Sequence, residues 1–293
     1  MSLDERAALA LLADTLPTAG DDAAVIGEHV LTTDMLHETT DFPDGTTRYT
    51  AGWRAVGASL SDVAAMGARA VAAVAVYGAP TFESDELEAF VDGARDVCAA
   101  VGADYVGGDL DDHQEFTVAT TALGETSTPV GRDGATPGDV VAVTGTLGRS
   151  GAGLRLFERG DNERANALFQ FPPRVAAGRT IAGHATTMMD SSDGLARSLH
   201  QLAAASECGF AIDTAALPID ETVETVADSP SDRRELGVFF GGDFELVFTI
   251  PTEDVDTVRS ATECSITVIG TVTETANGVT MDGDPLPDRG YTH

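Results

Sequence analysis

The chain has 293 residues, 48 of them acidic and 17 basic, for a formal net charge of -31, and every basic residue is Arg because lysine is absent. Such a charge disfavours nucleic-acid phosphate and anionic lipid as partners, and suits a salt-rich cytoplasm, where the Debye length falls to roughly 3 Å at 1 M. Without lysine there is no GxxxxGK[ST] P-loop, no protein-kinase signature, and no Schiff-base or pyridoxal-phosphate chemistry, so any phosphate must be handled by Arg, backbone N–H groups and metal ions.

Apolar residues make up 43% of the chain, enough for a sizeable core, and the length fits two domains. The first 17 residues, MSLDERAALALLADTLP, are acidic with a short apolar run, and read as neither signal peptide nor membrane anchor. After the loop Gly20-Asp21-Asp22, residues 23–26 and 30–33 read as short strands. Trp53, Val56, Leu60 and Val63 recur at helical spacing up to a stop at Gly67. A strand over 71–77 is closed by Gly78 and Pro80. Ser84 is an expected N-cap, with Asp85 and Glu86 in the first turn, and the stripe Leu87, Phe90, Val91, Ala94, Val97, Cys98, Val101 predicts a helix up to Gly102. A short strand is expected to end at Gly107-Gly108-Asp109, and another to run over 116–123.

Residues 124–139 concentrate Gly, Pro, Ser and Thr, which places a domain boundary near residue 128, with domains over 1–128 and 129–293. Beyond it come a strand over 140–144, the Gly-rich turn 145–153, a helix through 154–157, a strand over 185–189, a helix carrying Leu195, Leu199 and Leu202, and strands over 245–250 and 266–272. Both halves are mixed α/β. Cys98, Cys208 and Cys264 form no CxxC pair and read as reduced thiols of a cytoplasmic protein.

Several aspartates sit where a strand gives way to a loop or helix: Asp22, Asp34, Asp109, Asp190 and Asp193. Carboxylates there can converge on a hard cation, and Thr32 and Thr33 add oxygens beside Asp34. In a chain this acidic, most aspartates are solvated charge or helix caps. Asp62 differs, because it sits inside the helical run LSDVAAMGA, where Asp has poor propensity, next to the apolar stripe. The turn Gly145–Gly153 could cradle phosphate but lacks the spacing of a dinucleotide fingerprint, and reads more simply as a strand-to-helix connection. Residues 109–114 begin like a calcium loop, but Gln114 stands where the sixth position requires Gly, which excludes that reading.

AGDDAAVI, LTTDMLHETTDFP, SLSDVAAMGA, YVGGDL, RDGATPGD, MDSSDGL, GGDFELVFT and a terminal GYTH follow one another in this order. From about residue 20 onward the chain thereby resembles the thiamine-monophosphate kinase family, within the superfamily of aminoimidazole ribonucleotide synthetase. The resemblance implies an N-terminal α/β domain that dimerises through its sheet, a C-terminal α/β domain closing over a nucleotide, and ATP-dependent phosphorylation of thiamine monophosphate. It implies Mg²⁺ ligation by Asp22, Thr32, Thr33, Asp34, Asp62, Asp109, Asp190 and Asp193, and nucleotide contacts at Gly108, Asp109, Arg132 and Ser192. Tyr291 matches an aromatic residue that contacts the thiamine part. Asp41 stands where many members have a substrate-contacting His, and Gly242 where many have the Glu of GGED, so the contact at Gly242 is either lost or replaced by one from Asp243; Asp41 and Asp243 are the substrate candidates at these two departures.

With phosphate as both donor and acceptor, two unit charges 4 Å apart repel by about 4 kcal/mol at an effective dielectric of 20. Several Mg²⁺ ions would offset that repulsion and align the phosphates for direct transfer, with no protein base or nucleophile assigned. Selenophosphate synthetases should carry a reactive Cys and a Lys near an N-terminal Gly-rich loop, and the hydrogenase-maturation relatives a C-terminal Cys. This sequence has neither feature. The alternatives are a synthetase-like ATP-dependent enzyme of the same superfamily and a non-catalytic Mg²⁺–nucleotide-binding protein.

Overall fold

Two sheets carry the chain, one before residue 126 and one after residue 139. The computed structural model describes residues 15–16 and 20–291. Most of the N-terminal stretch read above for targeting signals lies outside the described residues, as do Thr292 and His293 of the terminal motif.

The first sheet has the order β1-β2-β5-β3-β4, from β1 (Ala24–Ile26), β2 (His29–His37), β3 (Arg69–Ala79), β4 (Asp104–Asp112) and β5 (Thr117–Glu125). In β2 the period of two turns Val30 and Thr32 inward and Leu31, Thr33 and Met35 outward. A nine-pair antiparallel ladder with β5 carries β2 past the expected end at Thr33, so Asp34 lies within a strand rather than at its end. β4 likewise continues beyond Asp109 to Asp112 on its parallel ladder with β3.

The crossover between β3 and β4 is helix α2 (Ser84–Ala100), with Glu83 rather than Ser84 as the capping residue. Helix α1 (Arg48–Ala65) crosses α2 closely at Gly52 and Gly93, where an added Cβ would overlap the backbone carbonyls of Phe90 and Tyr49. α1 ends at Met66, followed by Gly67 at φ +66°. Its apolar residues Val56, Leu60 and Val63 share one core cluster with Met188, Leu246 and Phe248 of the second sheet. α1 is therefore the shared wall between the two halves, which explains why 14 of its 18 residues are buried.

The second sheet has the order β12-β11-β8-β10-β6-β9-β7, from β6 (Val140–Thr144), β7 (Thr187–Asp190), β8 (Gly209–Ile212), β9 (Leu246–Ile250), β10 (Ile266–Thr273), β11 (Val279–Met281) and β12 (Asp284–Pro285). β6, β7 and β9 are buried throughout. Helix α3 (Arg149–Glu158) follows β6 after a four-residue turn, so half of the expected Gly-rich turn is helix. Next come α4 (Asn162–Phe169), α5 (Val175–Ile181) and α6 (Leu195–Ala205), the last burying Leu195, Leu199 and Leu202 as their spacing predicts. Cys98, Cys208 and Cys264 are free thiols. Among the described residues no helix is long and apolar enough to cross a membrane.

Candidate active site

Three elements end on one point. The loop before β1 supplies Asp22, α1 supplies Asp62 and the C-terminal end of β7 supplies Asp190, and one oxygen from each lies within 4.8 Å of the others. β2 braces the group from the sheet side, where Thr32 Oγ1 donates to Asp62 Oδ2 at 2.5 Å. Asp34 lies on the same face of β2 as Thr32, held by Ser59 Oγ at 2.6 Å. Asp190 is 1% exposed, and its Oδ2 and the neighbouring Ser191 Oγ have no hydrogen-bond partner.

Burial, then Asp34, Asp190 and Asp22, push the Asp62 carboxyl well above its ordinary value, against the opposing Thr32 hydrogen bond. Asp190 is pushed up to about 7, by burial first and then by Asp22. Converging carboxylates with an orphaned buried oxygen fit an oxygen-seeking divalent cation such as Mg²⁺, because a bound cation would satisfy the orphan and remove the mutual repulsion. Arg132 closes one side, its Nη2 donating to Asp22 Oδ1 at 2.9 Å and its Nε to Asp22 Oδ2 at 3.2 Å.

A cavity of about 360 Å³ includes Asp34, the neighbour of this cluster, and is lined as well by Asp41, Arg54, Ser192, Asp193 and Tyr291. Tyr291 is fixed at two points, with its backbone N–H donating to Asp193 O at 3.0 Å and its hydroxyl to Thr40 O at 3.2 Å. Asp41 Oδ2 accepts from His37 N at 2.8 Å, closing the short helical segment Glu38–Asp41 that follows β2. The structure thus gathers Asp22, Thr32, Asp34, Asp62, Asp190, Asp193, Arg132, Ser192, Asp41 and Tyr291 around one cluster and cavity.

Three expected site residues lie elsewhere. Thr33 sits on the opposite face of β2 from Thr32 and Asp34, and its Oγ1 donates to Thr120 O at 2.8 Å. Asp109 is exposed on edge strand β4, in a row that registers Met35, Ala119, Val76 and Asp109 across the outer face. β4 is three strand spacings from β2, about 14 Å, so Asp109 cannot share a cation with Asp34 of its own chain. Gly108 packs its backbone on Ala75, where a Cβ would overlap the carbonyl, and with Asp109 it borders a separate cleft between β4 and α2 that includes Tyr77, Tyr105 and Arg95.

Asp243 is the clearest correction. It is 6% exposed and caps α3, with Oδ2 accepting from Gly148 N at 2.5 Å and Oδ1 from Ser150 N at 2.9 Å. Both oxygens accept backbone N–H groups, which gives Asp243 a capping role in place of the substrate contact expected of it. These contacts occupy the Gly148 and Ser150 N–H groups, while Gly145 N and Leu147 N donate to Ser265 O and Pro218 O, so the Gly-rich turn is a capped strand-to-helix connection.

Two features escaped the sequence reading. Glu245 is held by Arg174 Nε at 2.7 Å and by Thr144 Oγ1 at 2.6 Å, which pins the segment between Phe240 and β9. Arg54 is buried against Phe169, Phe171 and Phe244. Nothing local marks either one, since an Arg at helical spacing among small residues looks like an exposed position.

The chain matches the models of AIR synthase related protein, N-terminal domain, over residues 20–126 and C-terminal domain over residues 136–282. It is 63% identical over 291 residues to a thiamine-monophosphate kinase of Halobacterium salinarum, covering 99% of this chain and 100% of the relative. It is 41% identical over 285 residues to one of Methanospirillum hungatei, covering 94% and 93%. Among solved structures it is similar to AaThiL complexed with AMPPCP and TMP, with TM-score 0.90, 29% identity, and coverage of 100% of this chain and 99% of that one.

Proposed function

The chain belongs to the AIR synthase related family and, within it, to the thiamine-monophosphate kinases, and on the geometry of its site we propose that it moves the terminal phosphoryl group of ATP directly onto the phosphate of thiamine monophosphate, with Mg²⁺ and without a phosphoenzyme. The observation that carries this reading is the Asp22–Asp62–Asp190 cluster beside Asp34, which itself lines a cavity shared with Asp41 and Tyr291.

Asp22, Asp62 and Asp190, with Asp34 beside them, would hold Mg²⁺, which would supply charge neutralisation for both phosphates. The acceptor oxygen of a phosphate monoester is already largely ionised near neutral pH, with a second pKa of about 6, so no general base is required. Thr32 fixes Asp62 by its hydrogen bond and Ser59 fixes Asp34, so both carboxylates are oriented before substrate arrives. Arg132 is bonded to Asp22 of the triad and is the side-chain cation proposed for the nucleotide phosphates. Asp193 and Tyr291, tied to each other through the backbone, close the acceptor side.

We propose further that the working unit is a homodimer. Leu31, Met35, Val74 and Val76 leave an apolar outer face on the first sheet, which favours burial against a second copy. Thr33 and Asp109 lie on that same face, so the partner's β4 could bring its Asp109, and the cleft beside Gly108, to the nucleotide end of this chain's site. The charge of -31 and the all-Arg basic set support a salt-rich cytoplasmic setting.

The deciding assay supplies purified protein with ATP, Mg²⁺ and thiamine monophosphate in high salt and follows thiamine diphosphate and ADP. Equimolar formation of the two supports the reading. ADP with free phosphate, or no turnover despite nucleotide binding, would overturn it in favour of the synthetase-like or non-catalytic alternatives.

A further inference from the structure

Arg54, Ala58 and Asp62 are four residues apart and share one face of α1. Eight residues of helix span about 12 Å, so Arg54 marks the cavity end opposite the carboxylate cluster. Ala58 lies between them and lines the same cavity with a minimal side chain. The Arg54 guanidinium lies 4.4 Å from the Phe169 ring centroid and 5.5 Å from that of Phe244, which itself stacks on Phe171 at 4.2 Å. Its hydrogen bonds go to neutral oxygens: Ser150 Oγ and Phe169 O at 3.3 Å each, and Gly242 O at 3.2 Å. A Cβ on Gly242 would overlap Arg54 Nη2, so this cation occupies the room that a side chain at position 242 would need. Burial lowers the Arg54 pKa only to about 10, so the group stays charged at neutral pH.

We propose that Arg54 determines acceptor specificity by donating to a ring nitrogen of the aminopyrimidine, the end of thiamine monophosphate farthest from its phosphate. This rests on the acceptor reading above. With the phosphate at the Asp34 end, the groove over Ala58 leads the rings toward Arg54. Asp41 and Asp193 also line the cavity, which suits the positively charged thiazolium. The aromatic surround removes water, so a donor there discriminates strongly between a ring that can accept and a ligand that lacks it.

The test compares two acceptor ligands by calorimetry, with Mg²⁺ and a non-hydrolysable ATP analogue present: thiamine monophosphate, and the phosphate of the hydroxyethyl-thiazole alone, which lacks the pyrimidine. Wild type should prefer the full acceptor. Arg54→Gln should weaken the full acceptor about tenfold or more and leave the truncated one within about twofold, with KM for ATP unchanged. Equal weakening of both ligands, or a shift in KM for ATP, would show a merely structural role and overturn the proposal. Should Arg54→Gln fail to fold, Arg54→Lys and Ala58→Leu carry the test. Lys should recover part of the preference, and Leu should exclude the full acceptor while admitting the truncated one. If neither variant alters the preference, the proposal fails. A wild-type protein that binds neither ligand would instead refute the acceptor reading on which it rests.

Discussion

Arg132 grips Asp22 with two parallel hydrogen bonds, Nη2 to Oδ1 at 2.9 Å and Nε to Oδ2 at 3.2 Å, and so engages both oxygens of one carboxylate of the triad. Burial alone would lower the arginine pKa, but Asp22, with Asp190 and Asp62 behind it, holds it above the ordinary value. A cation claiming Asp22 must share or displace that guanidinium. Arg132→Gln should therefore lower the unfolding midpoint in EDTA by several degrees and respond more strongly than wild type to added Mg²⁺. Thermal melts with and without Mg²⁺ check this, and equal Mg²⁺ responses would count against competition at Asp22.

Asp62→Asn should abolish turnover and leave the fold intact. Asn keeps the shape and the Thr32 contact but removes a full charge from the cluster. A ligand acting in the charged transition state is worth on the order of 3 kcal/mol, roughly a hundredfold in rate. Turnover across a Mg²⁺ titration, with circular dichroism on the same samples, is the measurement. A folded variant with near-normal rate would remove Asp62 from the metal set.

Asp243→Ala should act on stability. It uncaps α3 and leaves two buried N–H groups unpaired, at a cost of about 2 kcal/mol or more. Denaturant midpoints in high salt report the loss. A large rise in KM for the acceptor with no change in midpoint would restore the substrate role expected from sequence.

Stability without metal should rise as pH falls from 8 to 5.5. Asp190 and Asp243 are both pushed up to about 7, chiefly by burial, and Asp62 well above its usual range. Their folded-state values exceed the unfolded ones, so the folded chain holds extra protons. The associated stability is full below the unfolded values and is lost as pH rises through about 7. Mg²⁺ should flatten the part due to Asp62 and Asp190. Melts from pH 5.5 to 8.5, in EDTA and in Mg²⁺, check the sign, and a midpoint in EDTA that rises with pH would contradict it.

The outer face of the first sheet should join two copies in high salt and loosen as salt is removed and repulsion between chains of charge -31 grows. Val76 is 43% exposed there, so Val76→Asp should yield a monomer by light scattering. Mixing inactive Asp62→Asn and Asp109→Asn proteins should restore about a quarter of wild-type turnover, because half the dimers are mixed and each keeps one intact site if Asp109 acts from the partner. No recovery from mixed dimers would place Asp109 outside the shared site.

Local pattern settled much of this protein. The stripe through Trp53, Val56, Leu60 and Val63 fixed the buried face of α1, and an aspartate beside that stripe marked Asp62 as unusual before any contact was known. The ordered series of motifs pointed to Asp22 and Asp190 in the same way, because short motifs are properties of neighbours in the chain, whereas the alternation that separates Thr33 from Thr32 and Asp34 came only with the β2 ladder. Residues whose roles depend on distant partners were not legible. Asp243 became a cap because Ser150, in the first turn of α3, lies 93 positions earlier in the chain. Arg54 became part of a cavity wall because Gly242, 188 positions away, offers its carbonyl. Asp109 carries the right motif but lies on the wrong face and three strands from Asp34, since strand order and facing arise only when the β2–β5–β3–β4 ladders form. Sequence motifs named the candidate side chains, and the packing of the two halves on α1 decided which of them meet.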